Sequence, residues 1–245
     1  MRKVLNKVIP APILLWYKKW YKKRNSHSEK FQGKSPQEIF TDIYNTNHWT
    51  SPESISGPGS DSEQTTTLVD GLNSLIKENN IKSILDIPCG DFNWMQKVDL
   101  EGIDYIGADI VEALISENQQ KYTAENIRFE VLDLISDKLP KVDILVVRDC
   151  LVHLSLENIY NSVKNIKSSG AKYLLATTFP EHSVNFDIQT GEWRPLNLQI
   201  KPFKFPKPLL IINEGCTEVK GRFNDKSMAL WEIAQIELPP APYKE

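Results

Sequence analysis

The chain has 245 residues, a length that suits one α/β domain with additions, and its 40% hydrophobic content is enough for a packed core. The net charge is −3, but residues 1–25 hold eight basic side chains and no acid, so residues 26–245 carry −11. An acidic main domain argues against a nucleic-acid substrate, which would favour a basic face. The three cysteines are widely spaced and odd in number, which indicates free thiols in a reducing compartment and predicts a cytoplasmic protein.

Residues 1–25 are predicted to form a basic amphipathic helical appendage. One helical stripe collects the apolar and aromatic side chains, namely Ile13, Trp16, Tyr17, Trp20 and Tyr21. Aromatic side chains beside lysines suit the membrane–water interface, so peripheral membrane contact is one interpretation. Docking on the protein's own surface or on a partner is a second, and disorder is a third. The apolar run 8–17 is too short to span a bilayer.

Residues 26–60 are predicted to be a linker and a lid. A short helix is expected from Pro36 to Tyr44, and residues 51–60 are too rich in Ser, Gly and Pro for regular structure. Because Trp49 is costly to leave exposed, we interpret this segment as a cover over a cofactor or a substrate. A plain surface linker is the alternative.

The main domain, residues 61–245, is predicted to begin with a helix from Asp61 or Ser62 to about Asn79. The stretch that organises the domain follows at residues 82–94, KSILDIPCGDFNW. Its apolar start predicts a buried parallel strand, and its proline and glycine predict a sharp turn into a short helical segment. Ligands of such sheets bind outside the carboxyl ends of the strands, so this turn is the first candidate for a binding site.

Strands and helices alternate after this turn. Further strands are predicted at 105–108, 127–132, 142–147 and 172–178, and helices at 111–122 and 155–168. The first three strands lead into Asp86, Asp109 and Asp133. This alternation predicts a doubly wound, mostly parallel sheet.

Residues 180–208 interrupt the alternation with an irregular segment rich in aromatic side chains. Long irregular segments in compact domains are usually functional, so we expect a substrate lid here. Trp193 offers a flat face to a sugar ring or an aromatic acceptor, and Arg194 suits a carboxylate or phosphate; anchoring of the segment to the core explains Trp193 equally well. Two last strands are predicted at 209–213 and 229–236.

The run Asp86-Ile-Pro-Cys-Gly-Asp resembles the first motif of class I S-adenosylmethionine-dependent methyltransferases, which is usually acidic-x-Gly-x-Gly-x-Gly. Gly90 keeps the second glycine, whereas Pro88 and Phe92 stand where the first and third usually are. Asp109 matches the acidic residue that holds the ribose hydroxyls in this family, and Asp133 matches the residue that reads the adenine amino group. The resemblance runs from about residue 65 to the C-terminus.

The resemblance implies a seven-stranded sheet closed by an antiparallel strand, with S-adenosylmethionine as the cofactor. The residues that it implies for cofactor binding are Asp86, Gly90, Asp91, Asp109, Ile110, Asp133 and Leu134. No ligand spacing in the sequence calls for a metal.

Methyl transfer to an alcohol is helped by a general base that takes the hydroxyl proton. His153 follows the fourth strand, where the transfer site of the family opens, and histidine titrates near neutrality. Asp149 is a candidate to orient His153, to act as the base itself, or to touch the cofactor. His182, after the fifth strand, is another candidate base. The structural alternative for His153 is packing or capping against the helix that follows.

We therefore expect an S-adenosylmethionine-dependent methyltransferase that modifies a hydroxyl of a sugar, a surface glycan or a small metabolite. One rival is a nucleotide-cofactor sugar oxidoreductase on a similar sheet. It would need a G-x-G-x-x-G turn, which residues 88–92 do not supply. The other rival is a non-catalytic cofactor-binding scaffold anchored by residues 1–25. The sequence does not indicate an oligomeric state.

Overall fold

A computed structural model describes residues 28–238. Its strands are β1 (Ser83–Asp86), β2 (Asp104–Asp109), β3 (Ile127–Val131), β4 (Ile144–Val147), β5 (Tyr173–Thr178), β6 (Leu210–Asn213) and β7 (Ser227–Glu232). They form one sheet in the order β3-β2-β1-β4-β5-β7-β6. Strands β1 to β5 are parallel, and β7 is antiparallel to both β5 and β6. The predicted doubly wound sheet with an antiparallel closing strand is confirmed.

The helices also follow the predicted alternation. They are α1 (Ser28–Phe31), α2 (Pro36–Asn45), α3 (Ser62–Glu78), α4 (Glu112–Tyr122), α5 (Leu156–Ser168) and a short turn, α6 (Glu218–Gly221). Helix α2 begins with a capping box, in which Ser35 and Glu38 each accept from the backbone N–H of the other. Helix α5 begins at the predicted cap, since the hydroxyl of Ser155 accepts from the backbone N–H of Asn158.

The predicted basic helix of residues 1–25, with its membrane or docking contact, lies outside the described residues. Within residues 28–238, no helix is both long enough and apolar enough to cross a bilayer.

Successive apolar side chains of the central strands point to opposite faces of the sheet, and both faces are covered. On one face, Ile84 and its neighbours pack against helix α3 through Leu68, Leu72 and Leu75. On the other face, Leu85 and its neighbours pack against helix α5. Strands that are covered on both sides in this way are expected to be apolar throughout, which is how β1, β4 and β5 read in the sequence.

Residues 180–208 contain no helix or strand, as predicted, but much of this segment contributes to the core. Leu196, Leu198, Phe203 and Phe205 are buried against the face of the sheet that α5 also covers. The segment therefore completes a layer of the fold and is not merely a loop above it.

Residues 31–60, which we call the cap, lie over the carboxyl ends of the strands. Helix α2 rests on α4, where Tyr44 donates a hydrogen bond to Glu117 and Gln37 donates one to Glu112. The last part of the cap, residues 51–60, leads into α3, and we call it the strap. A 3₁₀ turn, Pro58–Ser60, ends the strap. The cap therefore closes one side of the edge at which the parallel strands end.

Gly107 of β2 lies where neighbouring aromatic rings leave no room for a side chain. It lies opposite Phe129 of β3, and a Cβ at this position would be 2.6 Å from Cδ1 of Phe129 and 3.1 Å from Cε1 of Tyr105. Overpacking of a core costs about 1–3 kcal/mol, so we expect Gly107→Ala to lower the free energy of unfolding by that amount in a urea titration.

The rescue variant is Gly107→Ala combined with Phe129→Leu, which makes room for the added methyl group. We expect the double variant to be more stable than the sum of the two single losses allows. Strictly additive losses would show that the Phe129 ring is not what excludes a side chain at position 107.

Candidate functional site

A cavity of about 1090 Å³, including its opening to solvent, lies between the carboxyl ends of β1 to β4 and the cap. Six of the seven side chains or backbones predicted to bind the cofactor line it: Gly90, Asp91, Asp109, Ile110, Asp133 and Leu134. Asp149 and His153 line it as well, and Trp49, Ile55, Ser56 and Ser60 reach it from the cap. Asp86, His182, Trp193 and Arg194 do not.

The turn after β1 keeps the geometry that glycine usually supplies, although Pro88 and Phe92 replace two of the three motif glycines. Phe92 has φ of 61° and Gly90 has φ of 55°. A phenylalanine in the left-handed region is strained, and its buried ring, packed among Tyr105, Tyr122 and Phe129, offsets that strain. The turn therefore survives the loss of a glycine because an aromatic cluster holds it.

Asp109 sits beneath this turn at the end of β2. Its carboxylate accepts from the backbone N–H groups of Gly90 (3.3 Å) and Val111 (3.0 Å). Burial raises the pKa of Asp109 to about 6, against the opposing effect of these hydrogen bonds. The side chain thus links the turn after β1 to the end of β2 and is an acceptor on the wall of the cavity.

Asp133 lies two residues past the end of β3. Its two carboxylate oxygens accept from the N–H of Ile135 and the hydroxyl of Ser136. Leu134 beside it is buried, and Ile110 approaches from the end of β2. This part of the cavity therefore combines one carboxylate with apolar walls.

Asp91 has a different role in this conformation from the one that the resemblance implies. Its carboxylate accepts from the hydroxyls of Ser54 (3.0 Å) and Ser56 (3.1 Å) and from the N–H of Ile55 (3.0 Å). The Ser56 hydroxyl in turn accepts from the N–H of Asp91. Asp91 is therefore the residue that fastens the strap over the turn after β1.

Asp86 is buried below the cavity rather than in its wall. Its Oδ2 accepts from the hydroxyl of Tyr105 at 2.8 Å, whereas its buried Oδ1 has no hydrogen-bond partner within residues 28–238. Burial raises the pKa of Asp86 to about 7. The resemblance implies contact between this residue and the cofactor, and in this conformation the side chain instead supports the floor of the site.

Asp149, which is partly exposed, belongs to a network of four charges that the sequence did not reveal; the other three, Arg148, Glu214 and Lys226, are buried. Lys226 lies 2.6 Å from the Asp149 carboxylate, and Arg148 lies 2.6 Å from Glu214. Arg148 also approaches Asp149 at 3.4 Å and donates to the carbonyl of Gly59 in the strap. Burial alone would raise the pKa of Asp149, but the charges of Lys226 and Arg148 outweigh it and hold the pKa at about 2.

His153 is a neutral side chain on the same wall. Its Nδ1 lies 2.9 Å from the carbonyl oxygen of Glu192, so the ring proton is on Nδ1 and Nε2 is an acceptor. Nε2 has no hydrogen-bond partner among residues 28–238, and Trp49 of the cap lies against the ring with centroids 5.2 Å apart. Burial lowers the pKa of His153 to about 4.

The remaining three predicted site residues lie elsewhere. His182 lines a separate cavity together with Arg222 and Asp225. Trp193 packs edge-on against Phe179 and Phe223. Arg194 is fully buried. The geometry gives no support to substrate contact by Trp193 or Arg194. Within the described chain, no three His, Cys, Asp or Glu side chains converge as ligands of a metal.

By sequence, the chain matches no protein-family model and no curated protein. By structure, it resembles the magnesium protoporphyrin IX methyltransferase of Synechocystis with bound S-adenosylmethionine, with a TM-score of 0.53 and 17% identity over 81% of this chain and 97% of that one. Human N-acetylserotonin methyltransferase, in complex with the same cofactor, has a TM-score of 0.50 and 14% identity over 91% of this chain and 67% of that one. The methyltransferase domain of bacterial CtHen1 has a TM-score of 0.50 and 13% identity over 69% and 98%.

Three methyltransferases thus share the strand arrangement described above at identities too low to speak for a common substrate. The chain has the fold of class I S-adenosylmethionine-dependent methyltransferases.

Proposed function

We propose that the chain is an S-adenosylmethionine-dependent methyltransferase that modifies a hydroxyl group, with His153 as the general base. One observation carries this proposal. The cavity joins acceptors suited to a nucleoside, on Asp109 and Asp133, to a neutral imidazole with an unoccupied Nε2. The cofactor, when bound, supplies a methyl group on a sulfonium, which a nucleophile displaces in line.

The residues present suit the cofactor. Asp109 is a carboxylate at the end of β2, able to accept from both ribose hydroxyls, and Asp133 is able to accept from the adenine amine. Ile110 and Leu134 provide apolar contact for the adenine ring. Gly90 has no side chain, and Ser56 of the strap packs where a Cβ at this position would lie.

In this mechanism His153 takes the proton of the acceptor hydroxyl on Nε2. The carbonyl of Glu192 keeps the other ring proton on Nδ1, so the lone pair stays on the nitrogen that faces the acceptor. Because its pKa is lowered to about 4, His153 is in the basic form at neutral pH. Asp149 is a poor base, since its carboxylate is held by Lys226 and its pKa lies at about 2.

The acceptor that we favour is a hydroxyl on a sugar, a glycan or another neutral small molecule. The four charges of the Arg148 network sum to zero, so this wall presents no net charge to attract an anion. Trp49 gives the acceptor a flat aromatic face next to His153, the role first expected of Trp193. The acidic composition of residues 26–245 disfavours a nucleic acid.

The cofactor is tested by calorimetric titration with S-adenosylmethionine and S-adenosylhomocysteine, with NAD as the rival ligand. We expect Asp109→Ala to weaken binding of the first pair by about 3 kcal/mol, or roughly 100-fold in Kd, because a charged acceptor for two hydroxyls is lost. Affinity of the unaltered protein should fall as pH drops through about 6, where Asp109 is protonated, and the variant should not show this fall.

The control for this titration is Asp104→Ala, which removes an exposed aspartate at the other end of the same strand. It should bind the cofactor like the unaltered protein. Folded protein that binds NAD but neither S-adenosyl ligand would contradict the proposal in favour of an oxidoreductase. Tight binding without turnover of any acceptor would favour the scaffold.

The base is tested by transfer of a labelled methyl group to a panel of sugars, glycans and small alcohols. We expect His153→Gln to lower kcat by about 10²–10⁴-fold and to leave cofactor affinity unchanged, since only proton removal is affected. His182→Gln, which alters the second cavity, should have a much smaller effect. At saturating cofactor, the activity of the unaltered enzyme should fall with decreasing pH only near pH 4, because imidazolium cannot accept a proton.

If His182→Gln proves the more damaging change, the base has been assigned to the wrong histidine. An activity loss centred near the ordinary pKa of histidine, about 6.5, at saturating cofactor would show that the surroundings of His153 do not keep it neutral.

A further inference from the structure

His153 lies in the short turn Leu151–His153. The irregular segment that follows β5 forms hydrogen bonds with this turn. The backbone N–H of Gly191 donates to the carbonyl of His153 at 2.9 Å, and the N–H of Arg194 donates to the carbonyl of Val152 at 3.1 Å. These bonds pair two short stretches that lie about 40 residues apart in the chain. The orientation of His153 therefore depends on residues 189–194.

The side chain of Arg194 also forms hydrogen bonds with this turn. Its Nη1 donates to the carbonyl of Val152 at 3.0 Å and to that of Leu151 at 3.3 Å, and its exposed fraction is 0%. A guanidinium remains charged at any physiological pH, so a buried guanidinium needs hydrogen-bond acceptors in fixed positions. The two carbonyls are such acceptors, and the contact fixes the backbone of the turn from its buried side.

The same segment also orients the ring of His153. The carbonyl that accepts from Nδ1 belongs to Glu192, two residues before Arg194. On the cap side, Ile39 and Phe31 pack so closely on Gly191 that an added Cβ would lie 2.6 Å from Cγ2 of Ile39. Cap, segment and turn therefore meet around one imidazole.

We propose that Arg194 is a positioning residue of the transfer site, which acts through His153 and not by contact with the acceptor. By holding the carbonyls of Leu151 and Val152, it keeps the turn in register with the Glu192 carbonyl. The Nδ1 proton then stays in place, and Nε2 faces the cavity. This inference rests on the proposed role of His153 as the base.

The first test uses nuclear magnetic resonance of protein labelled with ¹⁵N in its four histidines, with His153→Gln to assign the signal. This readout needs no acceptor and no turnover. In the unaltered protein we expect His153 to be the Nδ1–H tautomer. In Arg194→Lys, which keeps the charge but loses the planar fork, we expect a mixture of tautomers. The same tautomer in both proteins would overturn the proposal.

The second test measures methyl transfer. We expect Arg194→Lys to lower kcat by about 10²-fold, the size of effect that a small misplacement of a catalytic group produces, with cofactor Kd unchanged. In a His153→Gln background the same change should cause no further loss. An equal further loss there would mean that Arg194 acts on something other than His153.

A second variant keeps the proposal testable if Arg194→Lys does not fold. Gly191 has φ of 98°, so Gly191→Ala strains the segment and pushes it against the cap. Gly215→Ala is the matched control, because Gly215 has φ of 66° but nothing within 4 Å of an added Cβ. We expect the His153 tautomer to change only in Gly191→Ala; an unchanged tautomer there would overturn the proposal.

These tests separate the two hypotheses. If His153→Gln transfers methyl groups at the unaltered rate, or the protein binds no S-adenosyl ligand, the proposed function fails. The tautomer of His153 in Arg194→Lys still decides whether Arg194 orients that ring.

Discussion

The carboxyl edge of the sheet depends on four charges, three of them buried, that neutralise one another. Arg148 follows β4, Glu214 follows β6, and Lys226 precedes β7, so the three meet only when the antiparallel strand is in its place beside β5. Removal of one partner from such a network strands a buried charge, at a cost of about 3–5 kcal/mol. The network therefore ties the last two strands to the first four and holds Asp149 at the mouth of the cavity.

This balance also decides which groups remain for chemistry. Asp149 is held by two cations, which make it a poor base, and the carboxylate of Asp91 is occupied by hydrogen bonds from the strap. His153 is bound by only one of its two nitrogens. Its Nε2, which has no hydrogen-bond partner among residues 28–238, is therefore the acceptor that we propose as the base on the wall that faces Trp49. The choice of base follows from how its neighbours are bound, and not from residue type alone.

The sequence predicts the sheet well because its signals are local. Apolar runs that end in Asp86 or Asp109 report burial and strand direction within a few residues, and the Ser155 cap is read from its own helix. The charge network around Arg148 and Asp149 could not be predicted, because Glu214 and Lys226 lie 66 and 78 positions after Arg148 in the chain and carry no pattern of their own.

The site residues show the same division between local and distant signals. Arg194 was expected to reach a substrate because an arginine beside a tryptophan suggests an exposed recognition pair. Its acceptors are backbone carbonyls, which no side-chain pattern announces. Asp91 was placed correctly at the turn after β1, but the serines that bind it come from a stretch read only as a cover.

The strap and the sheet are separate pieces of the chain, joined mainly by hydrogen bonds from serine side chains and the backbone to Asp91 and by the Gly59 carbonyl. A shortened protein that starts at Asp61 would keep all seven strands and yet lack Trp49, Ile55 and Ser56 from the cavity. The shortest chain that contains all seven strands is therefore shorter than the shortest chain that contains the complete cavity. Circular dichroism or a melting curve of such a fragment would report the first and be blind to the second.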